Sequence, residues 1–427
     1  MLLSAVLQVS VAALAVTTAL SAQQVWRVHP VGGTNVHFSD LPQAVAGASA
    51  GDTIVLLWDS QIPVNFRYSA NVTIDKPLRI TSASPFGTPG YSDPLSVPLV
   101  GQFTVSGIGF GELLALSNLS VSARDVVSTP VAPHGFDCRD CQGTLLFEDI
   151  WYAGGGLTNS VLNFERCASV TLRGCTFDLS GEPVTAIDSD LSITTSLIDW
   201  TGQYWWIPAA NRWTNTGPGL VVRNSHVAIL GSIVEGADRI ASTPGLYAGV
   251  GARVESGSLD VGPYSTLAGG LAFGSRYGSY SMPSPTAGTI TVDPRAAPLV
   301  HPTATPWSVP GEIPATYHDW LVAGETYHVS VVGPNNGWAM LVVGGLAPTP
   351  VTVPGLGASP MDLASATVMG LRLLDSNGWT EWTRQCPVNV PVALPFVFQA
   401  AVLAPTGSMA LTYPSPFTVA WPHGYIP

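Results

Sequence analysis

Charge is what this chain has least of. Asp, Glu, Lys and Arg together make up 10% of 427 residues, and the basic ones are fewest: 16 Lys and Arg against 28 Asp and Glu, a net charge of −12. That shortage excludes a nucleic-acid partner, because a phosphate backbone is held by clustered Lys and Arg. It disfavours an anionic polysaccharide for the same reason. Long apolar runs are missing beyond Leu20, so no later segment can span a bilayer. Cysteines number only five, and no histidine pair lies near them. Zinc bound at Cys138-x-x-Cys141 would want a second pair at comparable spacing, and Cys167 and Cys175 are eight residues apart. Hydrophobic residues, by contrast, reach 46%, with 44 Gly and 36 Pro. That is strand-and-turn composition, too apolar for disorder. The length exceeds one compact core, so two domains are expected. An acidic, low-lysine surface suits solubility outside the cell.

The segment Val170-Thr171-Leu172-Arg173-Gly174-Cys175-Thr176-Phe177 shows the pattern that fills much of the chain. Apolar residues fall at a start position and two, five and seven places later. Two short strands with a bend at Arg173-Gly174 would turn all four side chains inward. The frame recurs at Leu114/Leu116/Leu119/Val121, Thr144/Leu146/Asp149/Trp151, Leu191/Ile193/Ser196/Ile198 and Val227/Ile229/Ser232/Val234, with a weaker copy at Leu259/Val261/Tyr264/Thr266. Before the third position sit Asn118, Glu148, Gly174, Thr195 and Gly231, and three of these five tolerate left-handed backbone. Intervals of 30, 26, 21, 36 and 32 residues are those of a coil whose turns stack. The expected architecture is all-β: a parallel β-helix. Asp149 would point inward, which requires either a hydrogen-bonded partner or a local shift of its turn.

Met1–Ala22 reads as a secretory signal peptide: an uncharged apolar core from Leu2 to Leu20, then small residues before Gln23-Gln24. A membrane anchor is the competing reading, although Gln8, Ser10, Thr17 and Thr18 interrupt the run. Next, Leu41, Val45 and Ala48 share one face of a short helix capped by Ser39 or Asp40, with Pro42 in its first turn. The segment "FSDLPQAVAGASAGDTIVLL", followed after a longer, aromatic-bearing insert by "VTIDKPLRITSAS", resembles the entry of the right-handed parallel β-helix, or pectin-lyase-like, superfamily. The resemblance implies that the helix plugs the open end of the coil, and it alone supplies the handedness. It is poor for function, since that superfamily holds lyases, hydrolases, epimerases and non-enzymes. The expected organisation is a signal peptide at 1–22, the β-helix at 36–285, a Pro-rich connector at 286–314 and a small antiparallel β-sandwich at 315–427. Within the last, "PVALPFVFQAAVL" is similar to closing strands of C-terminal modules of bacterial secreted proteins, which implies surface display or attachment.

Cys141 and Cys167 each lie three residues before a frame start, so stacking at about 4.8 Å predicts a disulfide between them. Cys175 is either core or a partner for Cys138, and Cys386 is left over. The 36-residue interval holds an aromatic insert: Asp199, Trp200, Tyr204, Trp205, Trp206, Pro208, Arg212 and Trp213. Aromatic faces stack on sugar rings while flanking polar groups take hydroxyls, so this loop is the expected platform for a neutral glycan. The competing expectation is that the rings pack the loop onto the coil. Asp190 and His226 fall one residue before the start of adjacent frames, on the outer face, and Asp188 lies three before, with Asn224 its equivalent. Asp188, Asp190 and His226 could thus cluster across two turns, a set able to do acid–base work or hold a cation such as calcium, or else a solvated ladder. The galacturonan hydrolase order "NTD…DD…HG" and a lyase's basic residue beside calcium-holding carboxylates are both missing. The expectation is a secreted or cell-surface protein that binds a glycan or another surface component, or serves structurally, without catalysis and without a cofactor. The alternative is a polysaccharide lyase or glycoside hydrolase.

Overall fold

The computed structural model describes residues 24–33, 35–57, 62, 66–83, 98–122, 134–153, 160–178, 184–199, 206–207, 212–213, 218–236, 249–269, 271–272, 275–276, 280–281, 288–297, 308–319, 321–388 and 396–419. The signal peptide expected at 1–22 lies outside them. Strands dominate, and the described residues hold one helix, Leu41–Gly47. Asp40 caps it by accepting from the Gln43 amide at 2.9 Å, and Leu41, Ala44 and Val45 are its buried face. Asp52, in the turn that follows, accepts from the amides of Gln24 and Ser49 and from the Trp26 indole, tying the first strand to the helix exit.

The first three-quarters of the chain forms two long sheets of parallel strands, one of 17 strands and one of eight. Each turn of chain gives one strand to the smaller sheet and two segments, or one long strand, to the larger. Val184–Ile187, Asp190–Thr194 and Leu197–Asp199 are one such turn. Neighbouring turns stack in register: Leu162 on Val184 on Leu220, Val170 on Leu191 on Val227 on Leu259, and Phe177 on Ile198 on Val234 on Leu267. All of these are buried in one continuous core.

Two bends per turn are made by single residues with left-handed backbone. Gly107, Asp140, Arg166, Asp188 and Asn224 take the first bend in successive turns, and Asn118, Asp149, Gly174, Thr195, Gly231 and Tyr264 the second. One such residue reverses the pleat and turns the chain sharply between extended segments. Two frames are corrected by this register. The turn expected to start at Thr144 starts at Leu145, so Leu145, Phe147, Ile150 and Tyr152 point inward and Asp149, at φ 50°, makes the bend. The pattern was hidden there because Leu146 is apolar too, and it is buried on the outer face. In the last copy Ser265 and Leu267, rather than Tyr264 and Thr266, take the inward places, since Gly262-Pro263 lengthens the bend by one residue.

All five cysteines are free thiols, so the expected Cys141–Cys167 disulfide is absent. The two do stack at the first bend, where the Ala168 amide donates to Cys141 O at 2.8 Å. Their thiols meet as unbonded neighbours and also face main-chain carbonyls. Cys167 Sγ faces Glu165 O and Cys138 O, just as Ser189 Oγ, one turn on, donates to Ile187 O (2.7 Å) and Phe164 O (3.0 Å). Cys141, Cys167, Ser189 and Ser225 form one ladder of small side chains; Cys175, Ser196, Ser232 and Ser265 form another at the second bend. Each serine hydroxyl of the middle turns also accepts the amide of the preceding turn's ladder residue, as Ser232 does from Ser196 N at 3.0 Å.

The parallel stack runs from Val25 to Pro310, further at both ends than the expected 36–285. Gly288–Val292 pairs with Gly257–Val261, and Ser308–Pro310 pairs with Ile290–Val292, so the proline-rich segment expected as a connector adds two strands. Pro310 is tolerated because its strand lies at the end of the stack.

Beyond it the strands are antiparallel. One sheet joins Ala315–His318, Thr326–Val332 and Trp379–Gln385; the other is built around Trp338–Val353 and Phe396–Leu403. They share a core of Val329, Val331, Leu341, Trp382, Phe398 and Val402. The three-stranded sheet lies on the stack. Ala228 and Leu230 of the stack pack with Ile313, Ala315, Tyr317 and Val332. Tyr317 donates to Pro263 O at 2.9 Å, Arg79 to Val419 O at 3.1 Å and Arg295 to Gly333 O at 2.7 Å. Ser117, Glu148, Arg173 and Thr194, on the outer face of the larger sheet, are consequently buried.

Candidate functional site

The turns at 190, 226 and 258 bring Asp190 and His226 together as the spacing implied, because the two are register partners one strand apart. His226 Nδ1 lies 3.2 Å from Asp190 Oδ1. Its other nitrogen is engaged as well, 3.3 Å from Asp260 Oδ2 and 2.8 Å from the Tyr413 hydroxyl, which donates in turn to Asp260. The His226 and Tyr413 rings stack at 5.7 Å. Hydrogen bonds to Asp190 and Asp260 outweigh partial burial and push His226 up to about 10. Burial raises Asp260, but hydrogen bonds from His226 and Tyr413 outweigh it and leave its carboxyl below the ordinary carboxylate range. Tyr413 is raised by burial and by the adjacent Asp260.

Asp188, expected beside them, is drawn away. It makes a first bend at φ 49° and accepts from the Asn224 amide, which makes the same bend one turn on. Asp260 and Tyr413 were missed by sequence reasoning. Asp260 lies on the outer face between the inward Leu259 and Val261, a signal present in the frame. Tyr413 sits 187 residues from His226, in the antiparallel unit, and no local pattern points to it.

An imidazolium held between two carboxylates carries its proton throughout the neutral range. It cannot accept another, and general-base work needs a group that titrates near the working pH. What the cluster does is join the two units, since Tyr413 belongs to one and the other three residues to the stack. No group of three His, Cys, Asp or Glu side chains among the described residues is placed to hold a metal ion.

A second polar group lies in the same seam. Arg173 donates to Glu148, through Nε at 3.1 Å, and its Nη1 lies 3.1 Å from His318 Nδ1. Thr418 donates to the other Glu148 oxygen at 3.0 Å. His318 is held neutral: burial, then the Arg173 charge, places it well below the usual histidine value.

The aromatic insert leaves the stack after Asp199, which ends its strand in register with Asp178. Trp206–Ile207 and Arg212–Trp213 then pair as a short antiparallel hairpin, Trp206 opposite Trp213 and Ile207 opposite Arg212. Trp200, Tyr204 and Trp205 lie outside the described residues. The insert joins the larger sheet to the smaller at the third corner. Between the strands ending at Asp178, Asp199 and Glu235 and those beginning at Val184, Leu220 and Ala252, the connections span 5, 20 and 16 residues, whereas the other two corners are closed by one or a few residues.

Comparison with protein-family models and with curated proteins finds no match for this chain. Among the described residues no helix is long and apolar enough to cross a membrane.

Proposed function

We propose that this is a secreted or cell-surface protein whose parallel stack is a right-handed β-helix of the pectin-lyase-like superfamily, closed at one end by the Leu41–Gly47 helix and followed by a β-sandwich. Its role is to bind a neutral glycan, or to serve as a structural surface component, without catalysis. The observation that carries this reading is the use made of His226. The one histidine aligned with carboxylates in the frame is locked as a cation between Asp190 and Asp260 and capped by Tyr413, which favours holding two units together over moving protons. The Trp206–Trp213 hairpin supports the glycan platform by its place in the chain: it lies within the long connection between the strand ending at Asp199 and the one beginning at Leu220, and function gathers on such loops. Trp200, Tyr204, Trp205, Trp206 and Trp213 supply the faces, with Asp199 and Arg212 at the rim.

A glycan-array screen of the wild type beside Trp205→Ala/Trp206→Ala tests it. Binding by the wild type should be lost in the variant, each stacked ring contributing about 1 kcal/mol, with the melting temperature unchanged. A variant that unfolds, or loses several kcal/mol of stability, would show that the rings are core.

A second reading, a polysaccharide lyase or glycoside hydrolase, is favoured by the smaller sheet's outer face. There Asp137 accepts from Arg139 Nε at 2.9 Å and from Asn163 Nδ2 at 3.0 Å. Reducing-end and unsaturated-product assays across a glycan panel decide between the two, with Asp137→Ala and Asp190→Ala as controls. Turnover abolished by either substitution would favour the enzyme.

A further inference from the structure

The second antiparallel sheet has an outer face that its own sequence marks for burial. Trp338–Val343 (WAMLVV), Phe396–Leu403 and Met409–Leu411 carry apolar residues at nearly every position, as strands do when both faces are covered. One set of alternating positions, Ala339, Leu341, Ala400 and Val402, fills the core shared with the three-stranded sheet. The other set faces away. Leu373, Trp338, Leu403 and Met409 are register partners across four strands, and Leu371, Met340, Ala401 and Leu411 make the adjacent row. None of the eight is polar. Trp338 is 45% exposed, Leu371 61%, Leu373 55% and Met409 53%. Further along the same face Val397 and Gln399 are buried, because the strand Gly357–Met361 folds over them and Ser359 donates to Gln399 Oε1 at 2.6 Å. That strand bounds the bare region at one end.

We propose that this face is where two copies of the chain pair, sheet against sheet. Flat apolar sheets pack on one another about 10 Å apart, and an identical face supplies the matching rows. The arrangement of the units allows it. The three-stranded sheet and the parallel stack lie on the opposite side, so two copies meet with their stacks pointing apart. Charge follows the same division. Residues 315–427 hold two Arg against five acids (Asp319, Glu325, Asp362, Asp375 and Glu381), a net of −3, so most of the chain's −12 is carried away from the pairing face. Four strands by two to three rows give a footprint of roughly 400 Å², before side-chain relief. That places the dimer at the small end of specific interfaces, below about 1,200 Å² in total, and makes its formation concentration-dependent.

Sedimentation of the protein from low to high micromolar concentration tests this, beside Leu371→Glu/Met409→Glu. The wild type should shift to twice the single-chain mass and the variant should stay single, with its far-UV spectrum and melting temperature retained. Amide exchange gives a readout that needs no variant: protection at Trp338–Val343 and Thr367–Leu373 should rise with wild-type concentration. A wild type that stays single throughout overturns the proposal. So does a doubling that persists in the variant, or exchange at these strands that does not change with concentration. A single-chain wild type that floats with neutral phosphatidylcholine vesicles would assign the face to lipid instead.

Discussion

His226 ties its stability contribution to its proton. Its ordinary value of 6.5 is raised to about 10 by Asp190 and Asp260. The contribution is therefore fully present below pH 6.5 and drains away as the pH rises through the folded value. We expect the melting temperature to fall between about pH 6.5 and 10, and the slope to be shallower in His226→Gln. Asp260→Asn should return the imidazole toward its ordinary value, read by its NMR titration; an unmoved titration would show that Asp260 contributes nothing to it. Arg173 poses a different problem. Replacing it with Ala removes the cation hydrogen-bonded to the buried Glu148 and leaves it the charge of Arg79, which should lower unfolding free energy by about 3 kcal/mol, measured by denaturant titration. Changing Glu148 and Arg173 together to Met should cost much less than Arg173→Ala alone. Legibility divides along the same line. Asp190 and His226 were readable as neighbours because each precedes the start of adjacent frames. Tyr413 and the covering of Glu148 were not, because they depend on how two separately patterned units meet.

At the level of the bend, each turn depends on a residue that accepts left-handed backbone. Thr195 sits there at φ 47° with a branched side chain, a costly choice. Thr195→Gly should raise stability by about 1 kcal/mol, since the relief exceeds the added freedom of the unfolded chain. Gly174→Ala should lower it, because the new methyl would lie 2.9 Å from Asp149 Oδ1 at φ 62°. Chemical denaturation of both variants checks the pair, and equal shifts of one sign would refute it. The frame was legible where the outer face is polar, as at Thr171 and Arg173. It slipped by one residue at Leu145–Phe147, where the apolar Leu146 on the outer face removes the alternation on which period-two reading relies. The cysteines misled for a related reason. Stacking was inferred correctly, but a thiol and a serine hydroxyl serve alike as the small hydrogen-bonding member of a ladder, and spacing does not distinguish that from a bond.

A stack of parallel turns, taken alone, is close to a one-dimensional object: each turn touches only its neighbours, and melting can begin at an end and travel. Here the antiparallel unit reaches Arg79, Glu148, Arg173, His226, Pro263 and Arg295 in turns spread along most of that length. It lies along the stack like a splint. Unfolding should therefore follow a single calorimetric transition, with amide exchange in the turns at 170 and 259 lost together; two separated transitions would count against this. The consequence is mechanical. A rod pulled at its end would shed turns one by one under small forces, whereas a splinted rod yields only when its brace lets go. The braced stack would keep the spacing of its turns up to that threshold and lose it all at once beyond it.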